Sequence, residues 1–257
     1  MTAQVPTWLG VAASVLLVLI AVAAASWARL GLTRELLWAS VRAFVQLLAV
    51  GTVLTLLFTH AGLPGALAWV AGMVVVAGFV AAGRSKEMPK ARSTALIAVG
   101  VGVTTTLGVL LVAGVIEPVP SVVVPVGGMV VSGAMTATNL TMRHMSSIAV
   151  QQRRDIEARL ALGLTADDAI APHLRGAVRT ALLPAIDSTK VVGLIALPGA
   201  MTGLILAGVE PIVAIRYQIV VMYMLLAAAA VSAIVAARLA RRALFDDADR
   251  LRWIQRS

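Results

Sequence analysis

The stretch Ser93–Ile116, STALIAVGVGVTTTLGVLLVAGVI, decides the fold class, because it runs for 24 residues without a charged side chain. A helix of about 20 predominantly apolar residues is long enough to cross the ~30 Å hydrocarbon core of a bilayer. Comparable runs follow one another on both sides of it. The sequence therefore predicts an all-α, polytopic integral membrane protein, a single domain over residues 1–257 with about seven transmembrane helices, at 5–28, 36–58, 62–83, 93–116, 118–142, 191–209 and 217–237.

The overall composition supports this class and excludes others. Of the 257 residues, 60% are hydrophobic and only 13% are charged, whereas soluble domains carry about 25% charged residues. A soluble globular protein and a disordered chain are therefore both excluded. The absence of cysteine excludes disulfides, thiolate metal sites and cysteine nucleophiles. The net charge of +9 would suggest a nucleic-acid partner for a soluble protein, but in a membrane protein we expect it to sort to one side of the bilayer.

Basic residues are distributed very unequally between the two alternating sets of loops. The set that includes the N-terminus contains one basic residue, Arg216, and the other set contains the remaining twenty. The positive-inside rule assigns the basic set to the cytoplasm. We expect a multi-pass protein of the cytoplasmic (inner) membrane, surrounded by lipid, with its N-terminus outside and its C-terminus in the cytoplasm. The first span lacks a basic segment before it, so we interpret it as a retained helix rather than a cleaved signal.

The loop over residues 143–190 is much longer than the others and has helical composition. Gly163 is typical of a helix C-terminus. Thr165 then resembles an N-cap residue, and Asp167 and Asp168 would lie in the first turn of a second helix. Pro172 predicts that this second helix is short. The pattern indicates a helical elbow that a partner protein could bind, or alternatively an ordinary solvated helical loop.

Several motifs in the chain resemble a known family. Glu157-Ala158-Arg159, followed by Gly163, is similar to the coupling loop of ABC transporter permeases, although this spacing alone is weakly specific. Much more specific is residues 183–203, LPAIDSTKVVGLIALPGAMTG, which resembles the signature of the FetB (YbbM) family of ABC transporter permeases assigned to iron export. Further similar pieces are LWASVRAFVQL at 37–47, PVGGM at 125–129 and YQI at 217–219.

The resemblance implies a permease subunit, presumed to be a homodimer, that works with a separate cytoplasmic ATPase binding ATP and magnesium. The sequence independently agrees, because a phosphate-binding loop needs Gly-Lys followed by Ser or Thr, and none of the three lysines follows a glycine. We therefore expect a transport subunit that is not itself an enzyme and carries no cofactor. The residues predicted to couple it to the ATPase are Glu157, Gly163, Thr165, Asp167 and Asp168.

Two features near the sixth span are candidates for a gate or hinge. Asp187 and Lys190 lie three residues apart and so share one helix face. They form either an ion pair at the membrane surface or a hinge that passes ATPase motion to the spans. Pro198 and Gly199 interrupt the span near its middle. This break is either part of a substrate pathway or a simple packing kink.

Further residues are candidates for the substrate pathway. The thioethers of Met129, Met135 and Met201 are soft metal ligands, but methionine is also ordinary apolar filler. Asn139 would line a path or join helices. Two carboxylates at the outer side, Glu117 and Glu210, could hold a cation before release or could be plain turn residues. The three histidines form no cluster, so the sequence assigns no metal site.

The sequence thus favours export of iron or another metal ion by an ABC permease. An alternative is the same machinery with a different substrate, such as a nucleotide sugar. A stand-alone secondary transporter or channel should show inverted repeats or acids at mid-span, and we find neither. A membrane-embedded enzyme is disfavoured because the usual catalytic constellations are missing.

Overall fold

The computed structural model describes residues 7–60, 62–246 and 248–252, and these residues form helices joined by short connections. This confirms the predicted all-α class. In chain order the helices are α1 (Trp8–Trp27), α2 (Thr33–His60), α3 (Gly62–Gly83), α4 (Ala91–Val112), α5 (Pro120–Gln151), α6 (Arg153–Ala161), α7 (Ala166–Val191), α8 (Gly199–Leu206) and α9 (Pro211–Leu244).

Six helices in the described part of the chain are long and apolar enough to cross a membrane: α1, α2, α3, α4, α5 and α9. Each overlaps one of the predicted spans, and α3 coincides with the predicted 62–83. Helix α5 is longer than predicted, because it continues past Arg143 to Gln151. The chain is therefore a multi-pass membrane protein, as the sequence predicts.

The structure differs from the sequence prediction at the sixth span. Residues 191–209 do not form one continuous helix. Helix α7 ends at Val191, a non-helical segment follows, and α8 begins at Gly199 and has only 8 residues. The predicted interruption at Pro198 and Gly199 is present, but it extends back to Val192. The helical backbone ends because Val192 is extended, with a ψ of 134°, and the positive φ of +80° at Gly193 then turns the chain away from the helix.

The prediction that Pro172 limits the second helix of the elbow is wrong. Helix α7 contains Pro172 and Pro184 and still runs for 26 residues. A proline inside a helix removes one backbone hydrogen bond and crowds the preceding turn. Here the buried side chains of Ala177 and Ala181, which lie between the two prolines, hold the helix against its neighbours, so tertiary packing offsets the local penalty.

The chain divides into two compact units, one of which contains residues up to Gly62 together with Leu206–Gly208. In this unit α1 packs on α2. Nearly all side chains of α1 are exposed, Ala25 being the buried one. Exposed leucine and valine are expected here, because a membrane-spanning helix faces lipid rather than water.

The second unit, Leu63–Ile205 with Val209–Ser257, contains a bundle in which α4, α5 and α9 pack on one another and α7 packs on α5 and α9. Small residues allow the helices to approach closely, as is usual for membrane helices. A Cβ added at Gly102 would overlap Ser232 of α9, one added at Gly78 would overlap Leu96, and one added at Gly127 would overlap Val70.

One end of this bundle carries most of the arginines, and we call it the basic end. A continuous apolar core there joins α5, α6, α7 and α9 to the segment after α9. Its fully buried members include Met142, Met145, Ile156, Ile170 and Leu244. Helices α6 and α7 are therefore part of the folded bundle and not a loop loosely attached to it.

Candidate functional site

The turn between α6 and α7 has the local structure that the sequence predicts. Gly163 has a φ of +88°, and its N–H donates to the carbonyl of Leu160 at 2.9 Å. The N–H of Leu164 donates to the carbonyl of Arg159 at 3.2 Å, so α6 ends in a glycine C-cap. Its left-handed conformation is one that glycine adopts without strain.

Thr165 caps the N-terminus of α7. Its side-chain oxygen accepts a hydrogen bond from the N–H of Asp168 at 3.2 Å, and its hydroxyl donates to the Asp168 carboxylate at 2.8 Å. Asp167 and Asp168 lie in the first turn, where negative charge interacts favourably with the helix dipole. The predicted cap is confirmed. We call residues 153–171 the elbow.

Buried side chains and ion pairs fix the elbow to the bundle. Ile156 of α6 and Ile170 of α7 are completely buried. The Asp155 carboxylate lies 3.0 Å from Nε2 of His173, which joins α6 to α7. Asp167 forms an ion pair with Arg241 near the end of α9. A displacement of the elbow would therefore be transmitted to α9 as well as along α7.

Glu157, which the sequence assigns to ATPase coupling, contacts a residue of its own chain. Its carboxylate lies 2.7 Å from the Arg153 guanidinium. Arg153 also donates to the backbone carbonyls of Leu251 and Arg252, both at 3.2 Å. The structure therefore gives Glu157 a role in attaching the segment after α9 to the elbow.

That segment forms a compact turn around Asp246. The backbone N–H of Arg250 donates to the Asp246 carboxylate at 2.8 Å, and the N–H of Ala248 donates to it at 3.0 Å. The Arg250 guanidinium lies 2.9 Å from the same carboxylate. The hydrogen bond from the backbone N–H of Arg250 is the main cause that lowers the pKa of the Asp246 carboxyl from its ordinary value of 3.8.

The tip of the elbow is apolar and exposed. Leu162 is 82% exposed and Leu164 is 42% exposed, on either side of Gly163. The side chain of Asp167 is 67% exposed next to them. The tip of the elbow therefore presents two exposed leucines beside an exposed acidic side chain.

A cavity of about 380 Å³ lies between α5, α7 and α9. Met129, which the sequence proposed for the substrate pathway, lines it together with Met222 of α9. Four hydroxyl side chains also line the cavity, those of Ser132, Thr136, Ser188 and Thr189. The sequence analysis missed the α7 hydroxyls, because it placed residues up to 190 outside the membrane.

The hydroxyl groups in this cavity keep acceptor capacity for a ligand. Thr136 donates to the carbonyl of Ser132 at 2.9 Å. Ser188 and Thr189 both donate to the carbonyl of Ala185, at 2.9 and 2.8 Å. Because these three donors are satisfied within their own helices, the lone pairs of their oxygens remain available to a cation or to a hydrogen-bond donor.

The second half of α7 runs beside the membrane-spanning parts of α5 and α9. Ala137 and Ala229 belong to a buried cluster, and Ala185 of α7 packs against it. Ala137 is six residues from Arg143, and Ala229 is nine residues from Arg238. At 1.5 Å per residue, these alanines lie ~9 and ~14 Å from the basic end of the bundle.

Asp187 and Lys190 therefore lie at the middle depth of the bundle and not at its basic end. They follow Ala185 by two and five residues, which places them ~12–20 Å from the basic end. Their Oδ1 and Nζ atoms are 3.7 Å apart, and the side chains are 63% and 69% exposed. A charged side chain facing lipid at this depth costs about 2.5–3.5 kcal/mol or more.

The backbone between α7 and α8 is irregular at the same level. The N–H groups of Leu194 and Ile195 both donate to the carbonyl of Val191, at 3.3 and 3.0 Å. Leu194 and Ile195 are 88% and 83% exposed. Irregular backbone at membrane depth occurs where protein or a wet cavity covers it. Helix α8 resumes at Gly199, and the carbonyl of Pro198 accepts from the N–H of Thr202 at 3.0 Å.

The other residues proposed for the pathway lie apart from this cavity. Met135 packs against the apolar core at the basic end, and Asn139 is 7% exposed with an unpartnered Oδ1 atom. Met201 lies in α8. Glu117 is in the α4–α5 connection and Glu210 is the N-cap of α9; both are exposed, and neither carboxylate has a partner among the described residues. The described residues also contain no group of three or more His, Cys, Asp or Glu that could hold a metal ion.

The comparisons with known proteins agree with the resemblance noted in the sequence. The model of the uncharacterised protein family UPF0014 matches residues 8–245. The UPF0014 membrane protein STAR2 of Oryza sativa subsp. japonica is 41% identical over 93% of this chain and 84% of its own length. The "Probable iron export permease protein FetB" of Escherichia coli is 38% identical over 93% of both chains.

A third relative, the protein ALUMINUM SENSITIVE 3 of Arabidopsis thaliana, is 36% identical over 93% of this chain and 88% of its own length. No solved structure matches the chain. The family model covers the six candidate membrane helices, and the three relatives each align over almost the whole chain. The chain therefore belongs to the UPF0014 family of membrane proteins.

Proposed function

We propose that this chain is the permease subunit of an ABC transporter that moves iron or another metal ion out of the cytoplasm. A separate cytoplasmic ATPase, which binds ATP and magnesium, would supply the energy, and two copies of the permease would form the pathway. The relative from Escherichia coli, named as an iron export permease, supports both the machinery and the class of cargo.

The single observation that carries the proposal is the apolar tip of the elbow. Leu162 is 82% exposed, yet the elbow beneath it is held by the buried Ile156 and Ile170 and by the Asp167–Arg241 ion pair. A partner that grips this tip would move α7 and α9 directly. The sequence has no phosphate-binding loop of its own, so the partner is expected to be the ATPase.

The proposed topology keeps seven crossings, one of them discontinuous. The second half of α7 reaches mid-depth, and α9 begins at Pro211 on the far side of the bundle from Arg238. The chain must therefore complete the crossing between Val192 and Glu210, which includes α8. Broken helices of this kind often surround the cargo site of a transporter. The N-terminus is then outside, and the basic end is in the cytoplasm.

The cavity between α5, α7 and α9 is the proposed cargo position. Side chains that line it carry thioether and hydroxyl groups, among them the thioethers of Met129 and Met222. These groups are neutral, so they can bind a cation with an affinity low enough for its release. The alternative substrate, a nucleotide sugar, is less well matched, because no basic side chain lines this cavity.

The experiment expresses the tagged chain together with ABC ATPases of its host and identifies the ATPase that co-purifies. Leu162→Ser combined with Leu164→Ser should abolish co-purification, because the tip loses its apolar contact. Val112→Ser is the matched control, since Val112 is 91% exposed at the other end of the bundle, and it should leave co-purification unchanged. Retention of the ATPase by the double variant would contradict the elbow as the docking site.

The cargo is tested separately in proteoliposomes that contain the purified complex. ATP-dependent movement of Fe²⁺ toward the side opposite the ATPase is expected, and Met129→Ala with Met222→Ala should reduce it. Equal movement in the absence of any ATPase would overturn the proposal and favour a secondary transporter.

A further inference from the structure

One face of α7 is both exposed and polar at a depth where lipid would surround it. The α7 face, as we call it, consists of Thr180, Leu183, Pro184, Asp187 and Lys190, all of which are exposed. Their spacing of three and four residues places them along one stripe of the helix. Ala177 and Ala181 lie about 60° and 100° around the helix from Thr180 and are buried against the bundle, whereas the helices of this unit leave the α7 face uncovered.

Lipid is a poor neighbour for this face. Asp187 and Lys190 lie near the middle of the membrane-spanning bundle, and their side chains are 63% and 69% exposed. Charged groups within a membrane almost always face protein or water and pair with one another. The Asp187–Lys190 separation of 3.7 Å within one chain leaves most of each charged group without a contact. The helices of this unit do not cover the face, so we expect another protein surface to contact it in the assembled protein.

The charges on this face are complementary to themselves. In a two-fold dimer the same patch meets itself, so residue i contacts residue j and j contacts i. Two copies with the same orientation in the membrane would place their α7 helices parallel. Asp187 and Lys190 are separated by about 60° around the helix and ~4.5 Å along it. In that arrangement each carboxylate faces the ammonium group of the second copy, as flanking charges do in parallel coiled coils.

Two small residues, Gly176 one turn before the α7 face and Thr180 within it, allow such an approach. Gly176 and Thr180 are four residues apart, and a Cβ added at Gly176 would meet nothing within 4 Å. Small residues repeated at this spacing are a common feature of helix pairs in membranes. They leave room for a second helix to approach, whereas larger side chains at these positions would have to move aside.

We propose that the α7 face is the contact between two copies of this chain within the membrane, and that Asp187 of each copy pairs with Lys190 of the second copy. This proposal rests on the proposed function only for the expectation of a homodimer, and it specifies which surface forms it. The two symmetry-related pairs then flank the two-fold axis, next to the break between α7 and α8 of both copies.

The natural absence of cysteine provides a direct test. Single variants Thr180→Cys and Leu183→Cys are produced in the full chain together with its ATPase, and the membranes are treated with an oxidant. A disulfide then joins two copies only if the positions are within about 7 Å. Both variants should give a covalent dimer. Tyr223→Cys is the control, because Tyr223 is 67% exposed on α9 and away from the α7 face.

A charge exchange tests the pairing itself. Asp187→Lys and Lys190→Asp are expressed with different affinity tags, separately and together. Each variant alone places like charges against each other and should lower recovery of its own dimer about tenfold. The mixture should restore recovery of the mixed dimer, because one copy then supplies only positive and the other only negative charges.

Each outcome decides between the proposals. A mixture no better than the single variants would mean that the pair acts only within one chain, and it would overturn the inference. Cross-linking at Tyr223→Cys but at neither α7 position would overturn the inference and leave the homodimer intact. Labelling of Thr180→Cys by a water-soluble thiol reagent, without cross-linking, would assign the face to a water-filled path. A complex containing one permease copy would overturn the homodimer of the proposed function as well.

Discussion

The closest approach between α4 and α9 predicts the effect of adding one methyl group to the bundle. A Cβ at Gly102 would overlap the Oγ atom of Ser232, and it would lie 3.1 Å from the carbonyl oxygen of Ala228 and 3.2 Å from the Cβ of Ser232. The hydroxyl could rotate away, but the backbone oxygen could not. The variant Gly102→Ala must therefore push the two helices apart by a few tenths of an ångström.

The expected cost follows from two opposing terms. Overpacking of a well-packed core costs about 1–3 kcal/mol, whereas replacing glycine by alanine within a helix gains about 0.5–1 kcal/mol. The free energy of unfolding should therefore fall by up to about 2.5 kcal/mol. Gly108→Ala on the same helix is the matched control, because nothing lies within 4 Å of its added Cβ. It should be neutral or slightly stabilising.

Thermal unfolding of the purified chain in detergent micelles measures the difference. A change of 1 kcal/mol corresponds to a shift in Tm of about 2–4 °C for a chain of this size, so the two variants should be separated by several degrees. Ser232→Ala in the Gly102→Ala background should recover part of the loss, because it removes the overlapping oxygen. Equal Tm values for Gly102→Ala and Gly108→Ala would refute the close approach of α4 and α9.

Two further predictions concern the elbow and the segment after α9. Gly163→Val should lower Tm, because a φ of +88° strains an L-residue by about 1–2 kcal/mol and a branched side chain increases the strain. Gly163→Asn should lower Tm less. An unchanged Tm for Gly163→Val would contradict the glycine C-cap. Asp246→Asn should make Tm less dependent on pH at the acid end. A pKa lowered below 3.8 means that the ionised Asp246 stabilises the fold above pH 3.8, and this contribution is lost as the pH falls further. Thermal unfolding measured from pH 6 down to pH 3 tests this, and parallel profiles for the two proteins would contradict it.

Local signals in the sequence predicted the parts of the fold that depend on neighbouring residues. Gly62 and Gly83 limit α3 where the apolar run begins and ends. Gly163 and Thr165 define the turn of the elbow, because a positive φ and an N-cap hydroxyl each need particular residue types. These features require no knowledge of which helix packs on which.

The depth of α7 was not predictable in the same way. The uncharged runs of the sequence predict the sixth crossing after Lys190, because Arg179, Asp187 and Lys190 interrupt the hydrophobic pattern before it. Only the packing of Ala185 against α5 and α9 shows that this part of α7 lies within the bundle. Hydropathy reports the cost of exposing a charge to lipid, but it does not report whether the charge faces lipid.

Partners distant in sequence were equally invisible. Asp167 lies at the start of α7 and Arg241 near the end of α9, so most of both helices and the whole of α8 separate them along the chain. Neither residue has an unusual local context. The same holds for Met129, Met222 and Thr189, which meet around one cavity although they come from three helices. Sequence reasoning identified the thioethers as candidate ligands, but their neighbours follow only from the packing of the bundle.

The continuity of α7 has a mechanical consequence for the proposed transport cycle. A short helix followed by a turn at Pro172 would absorb much of any displacement of the elbow. Instead, one helix of 26 residues leads from the cap at Thr165 to the break after Val191, a distance of ~39 Å at 1.5 Å per residue. A push on Leu162 therefore reaches Asp187 along one continuous helix, in which Pro172 and Pro184 are the two positions that lack a backbone hydrogen bond. The regular helix first ends at the irregular segment that begins at Val192, so we expect the change in access to the cavity to originate there.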